Sequence, residues 1–308
     1  MRTLYVYNNG LVVRKSDKSI VVTDGSGTVA QEPVHALSSI VIMGSSQITE
    51  QAVKFAADSG IDIIHANRNG RIYAITNAFS DKGPIIKMTQ YAVYLDTAKR
   101  LRVAKHVVKR KLEAQERYLK HRRVLPFGER HAYRSFMRQL ELCETVNQVL
   151  GVEGSAAQFY YKKLNLFSLF TKRSKRPAAD MINALMNLTY SMILHRICCA
   201  LVGKSLDIQI GYLHAHTGRR PSLALDLLEL FRPQADAFVI TMTNRKEFTE
   251  KDFVPGEDGS GLYLSKQAFN RYLKKLNDHL MPELEIEKEA AKLTALLLEE
   301  GANGEATA

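Results

Sequence analysis

The spacing of apolar residues along the chain changes once, near residue 80, and this change limits the folds that the chain can adopt. Before it, short segments rich in Val, Ile and Tyr alternate with turn residues, which is typical of β-strands. After it, apolar residues recur at helical spacing almost to the C-terminus. The sequence therefore predicts an α+β protein, with an N-terminal β-rich domain followed by a mainly α-helical catalytic domain.

Turn and breaker residues give the domain boundaries. Asp81-Lys82-Gly83-Pro84 marks a linker, and a chain of 308 residues is longer than one hydrophobic core usually organises. We predict a β-rich domain over 1–76, a linker over 77–90, a helical domain over 91–300 and a disordered tail over 301–308.

Single elements follow from the same patterns. Strands are predicted in LYVY, LVVRK, SIVVTD, LSSIVIMG and IDIIHA, a helix in ITEQAVKFAADSG, and a hairpin turn at Asn69-Gly70. In the second domain we predict helices over 97–125, 133–150, 155–164, 178–202, 221–231 and 266–300, with an extended insert over 237–265.

The charge balance points to an anionic partner. A formal net charge of +11 favours nucleic acid, an acidic membrane or an acidic protein. Membrane insertion is not expected, because the most apolar stretch, 182–202, carries Asn183, Asn187, His195 and Arg196, which are costly in a bilayer. The N-terminus lacks the apolar core of a signal peptide, and the odd number of cysteines suits a reducing compartment. We therefore expect a cytoplasmic protein of a prokaryote.

The positive charge is concentrated in two runs. One is a helix with Lys99, Arg100, Arg102, Lys105, Lys109, Arg110, Lys111, Arg117, Lys120, Arg122 and Arg123, and the other spans 162–176 with aromatic residues between its cations. Binding to a phosphate backbone requires many cations along one surface. A basic face that only confers solubility remains the alternative for each run. The residues we expect to contact DNA are Arg122, Arg123, Arg173, Arg176, Arg219 and Arg220.

Three segments carry side chains suited to chemistry. In LGVEGSAAQFYY, Glu153 lies between two glycines at the start of a predicted helix, where it could also serve only as a favourable charge in the first turn. In IGYLHAHTGRRP, His214 and His216 would face opposite sides of a strand, so only one would join a given site, and a lone His is more often a core residue. In PSLALDLLELFRP, Asp226 and Glu229 share one helical face. The alternative for these two acids is pairing with Arg219, Arg232 or the basic helices.

Together the three segments are more informative than each one alone. Two or three carboxylates with one imidazole form a ligand set for Mg²⁺ or Mn²⁺, and the nitrogen favours Mn²⁺. Beside a basic surface, such a centre indicates phosphodiester chemistry. The sequence contains no phosphate-binding glycine loop and no nucleophile elbow. It therefore does not support an enzyme driven by nucleotide hydrolysis or an acyl-transfer enzyme.

These segments resemble the CRISPR adaptation integrase family, the family of the first CRISPR-associated protein. The resemblance covers nearly the whole chain and includes LGVEGSAAQFYY, RPAADMINALMNLTYSMI, GYLHAHTGRRPSLALDLLELFRP and the β-rich stretch SSIVIMGSSQITEQAVKFAADSGIDIIHANRNGRI. It implies that Glu153, His214 and Glu229 are the metal ligands and that Asp226 supports them. In RPAAD, a second Pro that many relatives carry after Arg-Pro is missing.

The resemblance also implies an assembly and a reaction. It implies a homodimer joined through the β-rich domains, together with a small ferredoxin-fold CRISPR adaptation partner. It further implies that the 3′-hydroxyl of a short foreign duplex attacks a phosphodiester at the edge of a CRISPR repeat. Water in place of the hydroxyl would nick double-stranded or branched DNA. Two alternatives stay open: a non-catalytic nucleic-acid-binding scaffold, and a general repair nuclease for branched DNA.

The basic runs predict a salt-dependent interaction. Neutralising Arg122 and Arg123 together, or Arg173 and Arg176 together, should lower the slope of log affinity against log salt. Each phosphate contact that is lost reduces the number of counterions released when the protein binds DNA. Fluorescence anisotropy with unrelated duplexes at several salt concentrations measures this slope. An unchanged slope for both double variants would mean that these arginines serve solubility.

Overall fold

The computed structural model describes residues 2–67, 71–78, 83–125, 129, 131–165, 168–170, 172–174, 177–215, 218, 220–256 and 261–302. Its first part is β-rich, as predicted. The strands are β1 (Arg2–Val6), β2 (Val12–Ser16), β3 (Ser19–Asp24), β4 (Gly27–Pro33), β5 (Leu37–Met43), β6 (Gln47–Ile48), β7 (Asp62–Ala66) and β8 (Ile72–Thr76), and helix α1 (Glu50–Asp58) lies between β6 and β7.

The eight strands form two four-stranded sheets. One has the order β4-β3-β2-β6, in which only the β2–β6 pair is parallel. The other has the order β1-β5-β7-β8, in which β1, β5 and β7 run parallel and β8 is antiparallel to β7. The β7–β8 pairing agrees with the predicted hairpin, whose turn at Asn69-Gly70 lies outside the described residues.

The second sheet is shared between two hydrophobic cores. Along β5, Ile40 and Ile42 belong to the core of the β-rich part, whereas Val41 and Met43 belong to the core of the helical part. Successive strand residues point to opposite faces, so a strand buried on both faces reads as one continuous apolar run. This explains the sequence LSSIVIM and joins the two parts of the chain through packed side chains.

The second part of the chain is mainly helical, as predicted. Its helices are α2 (Gly83–Leu95), α3 (Thr97–His121), α4 (Ala132–Leu142), α5 (Val146–Leu164), α6 (Met181–Val202), α7 (Ser222–Leu228), α8 (Arg232–Asn244), α9 (Lys266–Lys275) and α10 (Ile286–Ala302). A short hairpin of β9 (Phe253–Pro255) and β10 (Leu262–Leu264) precedes α9, which continues into a π-helical turn over Leu276–Leu280.

Several predicted element boundaries were wrong. The break predicted after residue 150 lies at 143–145, where the side chain of Thr145 caps α5. Residues 237–244 are helical rather than extended, because one face of α8 packs into the core. The segment around His214 is a loop and not a strand. Residues 83–90, placed in the linker, are the first residues of α2.

Helix α6 is the central helix of the second core. Of the described helices it alone is long and apolar enough to span a membrane by composition, but 61% of its apolar window is buried inside the protein. It contacts α7, α8, α10 and strands β5 and β7. Asn183 and His195 are fully buried within it. The helix therefore has the role of a core helix, as its polar residues predicted.

The cap of α5 gives a prediction about stability. Thr145 Oγ1 accepts the N–H of Gln148 at 3.3 Å, and Gln148 Oε1 accepts the N–H of Thr145 at 3.1 Å. Replacing Thr145 by Ala should lower the free energy of unfolding by about 1 kcal/mol, because an orphan helix N–H loses its acceptor. Urea denaturation measures this. Thr145→Ser keeps the hydroxyl and should retain most of the stability; an equal loss in both variants would disprove the capping role.

Candidate metal centre

Glu153 lies in the middle of α5 and not in its first turn. The helix begins at Val146, so the alternative in which Glu153 only complements the helix dipole is wrong. Its side chain is 21% exposed. A Cβ atom added at Gly151 or Gly154 would meet no atom within 4 Å, so packing does not require either glycine. The two glycines leave the helix surface beside Glu153 open to an approaching molecule.

Glu229 directly follows α7 and faces Glu153 across a buried cation. The Lys111 ammonium group donates to Glu153 Oε1 and, at 2.5 Å, to Glu229 Oε2. Arg232 Nε donates to Glu229 Oε1 at 2.8 Å. The side chains of Lys111 and Glu229 are only 6% and 5% exposed. The two predicted acidic ligands therefore converge on one cation.

The charges of this group stabilise one another. Burial by itself would raise the pKa of Glu229, but Arg232 and Lys111 outweigh burial and lower it to about 2. Burial by itself would lower the pKa of Lys111, but Glu229 and Glu153 outweigh burial and raise it. Glu229 and Lys111 are therefore both charged at neutral pH. Glu229 thus forms the ion pairs that the sequence analysis gave as the alternative, with Arg232 and Lys111 as its partners.

Asp226 holds the loop that carries His214. Its carboxylate accepts the backbone N–H groups of Tyr212, Leu213 and His214 at 2.6, 3.0 and 2.9 Å, and it lies 2.8 Å from His214 Nδ1. With Nδ1 hydrogen-bonded to this carboxylate, Nε2 is the nitrogen with a lone pair for a metal. Asp226 is fully buried, and its hydrogen bonds fix the orientation of the His214 ring.

Neighbouring residues fix the same loop from both sides. A Cβ atom added at Gly211 would lie 2.7 Å from the carbonyl carbon of Ser222 and 2.9 Å from His214 O, so only glycine fits there. Ser222 Oγ donates to Ala215 O at 3.0 Å. Gln90 of α2 donates through Nε2 to Asp207 O at 2.9 Å, and Tyr212 Oη donates to Gln90 O.

A second layer of side chains surrounds Arg232. Its guanidinium group lies over the ring of Tyr190, 4.6 Å from the centroid. The Tyr190 hydroxyl donates to Asp236, and burial raises the pKa of Asp236 to about 6. The guanidinium of Arg173 lies 5.4 Å from the centroid of the same ring. Arg232 is therefore held in place by both its carboxylate and its aromatic neighbour.

The carboxylates of Glu153 and Glu229 and the imidazole of His214 are donors suited to a hard divalent cation, although the three side chains do not surround one common position. Glu153 and Glu229 share one cation through carboxylate oxygens, and His214, whose Nδ1 is bonded to Asp226, has Nε2 as its remaining ring nitrogen. Among the described residues, no three or more His, Cys, Asp or Glu side chains are close enough to hold a metal ion. At the point where the two carboxylates converge, the cation is the ammonium group of Lys111.

Comparison with known proteins identifies the family. The family model of CRISPR associated protein Cas1 matches residues 4–278, which is most of the chain. The chain belongs to the Cas1 family. It is 29% identical to a CRISPR-associated endonuclease Cas1 of Thermus thermophilus over 91% of this chain and 86% of that protein.

Solved structures share the fold. A Cas1 protein from Thermotoga maritima has a TM-score of 0.81 and 24% identity, covering 96% of this chain and 97% of that one. A casposase bound to an integration product has a TM-score of 0.80 and 22% identity, with 98% and 91% covered. A chain of a Cas6-RT-Cas1–Cas2 complex has a TM-score of 0.80 and 19% identity, with 97% and 35% covered. The predicted α+β fold and family resemblance are confirmed.

The first basic run is less uniform than its sequence indicates. Its cations pair with acids on distant elements: Arg102 with Glu300 of α10 at 2.6 Å, and Arg110 with Glu289 at 3.0 Å. Lys111 points inward and pairs with Glu153 and Glu229. Arg122 and Arg123 lie exposed at the C-terminal end of α3. The positive charge of this Cas1 helix is therefore more exposed at its C-terminal end than along its whole length.

In the second run, Arg173 is engaged within the protein. Its guanidinium donates to Asn183 Oδ1 at 2.8 Å and to Asn187 Oδ1 at 2.6 Å. Tyr160 and Phe170 are buried in the core, so they do not present faces to DNA bases. Arg220 is exposed, whereas Arg176, Arg219 and His216 lie outside the described residues. DNA contact by these arginines stays a prediction.

The central position of Lys111 and the anchoring contacts of Gln90 were not predicted from the sequence. Lys111 follows Val107 by four residues and Val108 by three, and both are buried, so it lies on the apolar face of α3. A lysine on such a face requires a buried acidic partner. That signal was present in the sequence. Gln90 had no comparable signal, because its partners lie more than 100 residues away.

The Asp226 hydrogen bonds predict how replacing this carboxylate by an amide changes stability and the His214 tautomer. In Asp226→Asn, the NH₂ group must replace an oxygen that accepts backbone N–H groups, so at least one buried donor loses its acceptor. We expect a loss of about 2 kcal/mol in the free energy of unfolding and a change in the His214 tautomer, measured by urea denaturation and by ¹⁵N NMR of the imidazole. The control Asp207→Asn changes a half-buried carboxylate that accepts one backbone N–H, that of Gln209, and the Tyr91 hydroxyl; it should cost below about 1 kcal/mol. Wild-type stability and tautomer in Asp226→Asn would exclude this role.

Proposed function

We propose that the chain is a metal-dependent DNA endonuclease and integrase that inserts short foreign DNA into a CRISPR array. The observation that carries the proposal is the convergence of Glu153 and Glu229 on one cation, beside an imidazole oriented by Asp226. Membership of the Cas1 family and the endonuclease name of the Thermus thermophilus relative support it. The fold shared with a casposase bound to an integration product supports the integrase activity.

The proposed site binds Mg²⁺ or Mn²⁺ through Glu153, Glu229 and His214 Nε2. When bound, the metal would neutralise charge on the attacked phosphate and orient the attacking and leaving oxygens. Asp226 keeps the His214 tautomer that leaves Nε2 unprotonated, and Arg232 fixes the rotamer of Glu229. These residues set the geometry in advance, so little reorganisation is required when the substrate arrives.

The proposed reaction is a direct transesterification. The 3′-oxygen of the incoming strand forms a bond to phosphorus as the bond to the 3′-oxygen of the target strand breaks. The attacking hydroxyl loses a proton and the leaving oxygen gains one, so the number of phosphodiester bonds is unchanged and no nucleotide is consumed. With water as the attacking group, the same site would nick double-stranded or branched DNA.

The proposed assembly is a homodimer joined through the β-rich domains, working with a small ferredoxin-fold partner in the prokaryotic cytoplasm. The likeness to a chain of a Cas6-RT-Cas1–Cas2 complex supports the partner. The division into a β-rich domain over 1–76 and a helical catalytic domain over 91–300 is part of this proposal. The shared sheet β1-β5-β7-β8 would keep the dimer-forming part fixed relative to the metal centre.

The proposed metal ligands can be tested one at a time. Glu153→Gln, His214→Ala and Glu229→Gln should each reduce Mn²⁺-dependent nicking of branched DNA by at least about 100-fold, because each removes a direct ligand. DNA affinity should change little, since phosphate contacts elsewhere supply it. Glu229→Gln should also lower stability by about 3 kcal/mol, because Arg232 loses its buried carboxylate. Nicking is therefore measured below the melting temperature of each variant.

The matched control is Glu116→Gln on α3, whose carboxylate pairs with Lys120 at 2.7 Å outside the centre; nicking should be unchanged. Robust nicking by any ligand variant would remove that residue from the site. DNA binding without nicking by the wild type at any metal concentration would favour the non-catalytic scaffold. Nicking without strand transfer would favour a repair nuclease.

A further inference from the structure

Lys111 occupies the point at which the two acidic ligands meet. Its ammonium group contacts Glu153 Oε1 and Glu229 Oε2 at once, and its side chain is 6% exposed. It extends from the apolar face of α3, between Val107, Val108 and Leu112, which are buried. A buried lysine in this position cannot exchange its partners for water without leaving the core.

The four charged side chains of the Lys111 ion-pair network balance one another without a metal. Glu153 and Glu229 contribute two negative charges, and Lys111 and Arg232 contribute two positive ones. Arg232 binds the oxygen of Glu229 that faces away from Lys111, so its contact does not occupy the point of convergence. A divalent cation that binds both carboxylates at that point would meet the Lys111 ammonium there, and two cations in contact repel strongly in a buried site.

We propose that metal binding at this centre is an exchange, in which the divalent cation displaces the Lys111 ammonium group from Glu153 and Glu229. Lys111 is then a positioning residue with two roles. Without metal it neutralises the facing carboxylates and keeps α3, α5 and the α7–α8 corner together. With metal it is a competitor that sets the affinity of the site. The inference rests on the proposed function, because it assumes that these carboxylates bind the metal.

The exchange predicts opposite effects of one substitution on stability and on affinity. Lys111→Met keeps an unbranched apolar side chain in the core but removes the charge. Without metal this variant should melt at a lower temperature than the wild type, because two facing carboxylates lose their shared cation. Its Kd for Mn²⁺ should be lower by at least about tenfold, because the competing charge is gone, and Mn²⁺ should raise its Tm more than it raises that of the wild type.

The measurements are titration calorimetry with MnCl₂ and thermal unfolding on the full chain, both without DNA. The matched control is Lys163→Met on α5, which also removes a buried ammonium group paired with one carboxylate, that of Glu129, outside the centre. It should lower Tm and leave the Kd for Mn²⁺ unchanged. If Lys111→Met does not fold, Lys111→Gln replaces it, since a neutral amide can still donate to both carboxylates.

The outcomes separate this inference from the proposed function. If the wild type binds Mn²⁺ and Glu153→Gln abolishes that binding, the metal centre stands. An unchanged or higher Kd in Lys111→Met or Lys111→Gln would then overturn the exchange alone. If the wild type shows no Glu153-dependent Mn²⁺ binding, the proposed metal centre fails and the exchange fails with it. A Kd at least about tenfold lower, with Lys163→Met unchanged, would establish the exchange.

Discussion

The neutralisation of Glu229 is the interaction on which the helical part of the structure depends. This carboxylate is almost fully buried at the end of α7, where an unpaired charge would be strongly unfavourable. Lys111 from α3 and Arg232 from α8 supply the two cations, and Lys111 also binds Glu153 on α5. Side chains from residues 111, 153, 229 and 232 are thereby joined in one network of ion pairs. The position of each helix is fixed partly by this charge balance.

Apolar packing, in addition to these ion pairs, holds the helices around Glu229 in place. Helix α6 packs against α7, α8 and α10 on its sides and against β5 and β7. Strand β5 has one face in each core, so the β-rich part and the helical part are connected by apolar packing. A centre built on helices that pack against such a helix can keep its ligands oriented, which metal-assisted phosphodiester chemistry requires.

The distribution of positive charge has, in part, a structural explanation. Only two acids lie within α3, Glu113 and Glu116, and they pair with Arg110 and Lys120. Further acids come from α10, where Glu289 and Glu300 pair with Arg110 and Arg102. Part of the net charge thus stabilises helix packing, and the remainder stays on the surface. Arg122, Arg123 and Arg220 belong to this exposed remainder, whereas Arg173 connects the 172–174 segment to α6 through two asparagines. A count of lysines and arginines cannot distinguish these roles.

The sequence alone determined the order of a β-rich part and a helical part, because periods of two and of 3.6 residues are local properties. It also determined the family and the candidate residues Glu153, His214, Asp226 and Glu229, through segments whose order and spacing are specific. Only the tertiary structure decided what these residues contact. Contacts such as Lys111 with Glu153 and Glu229, or Gln90 with the loop before His214, join residues 42 to 118 positions apart. Local patterns contain no information about which distant charges will share a buried space, since packing of the whole core decides that.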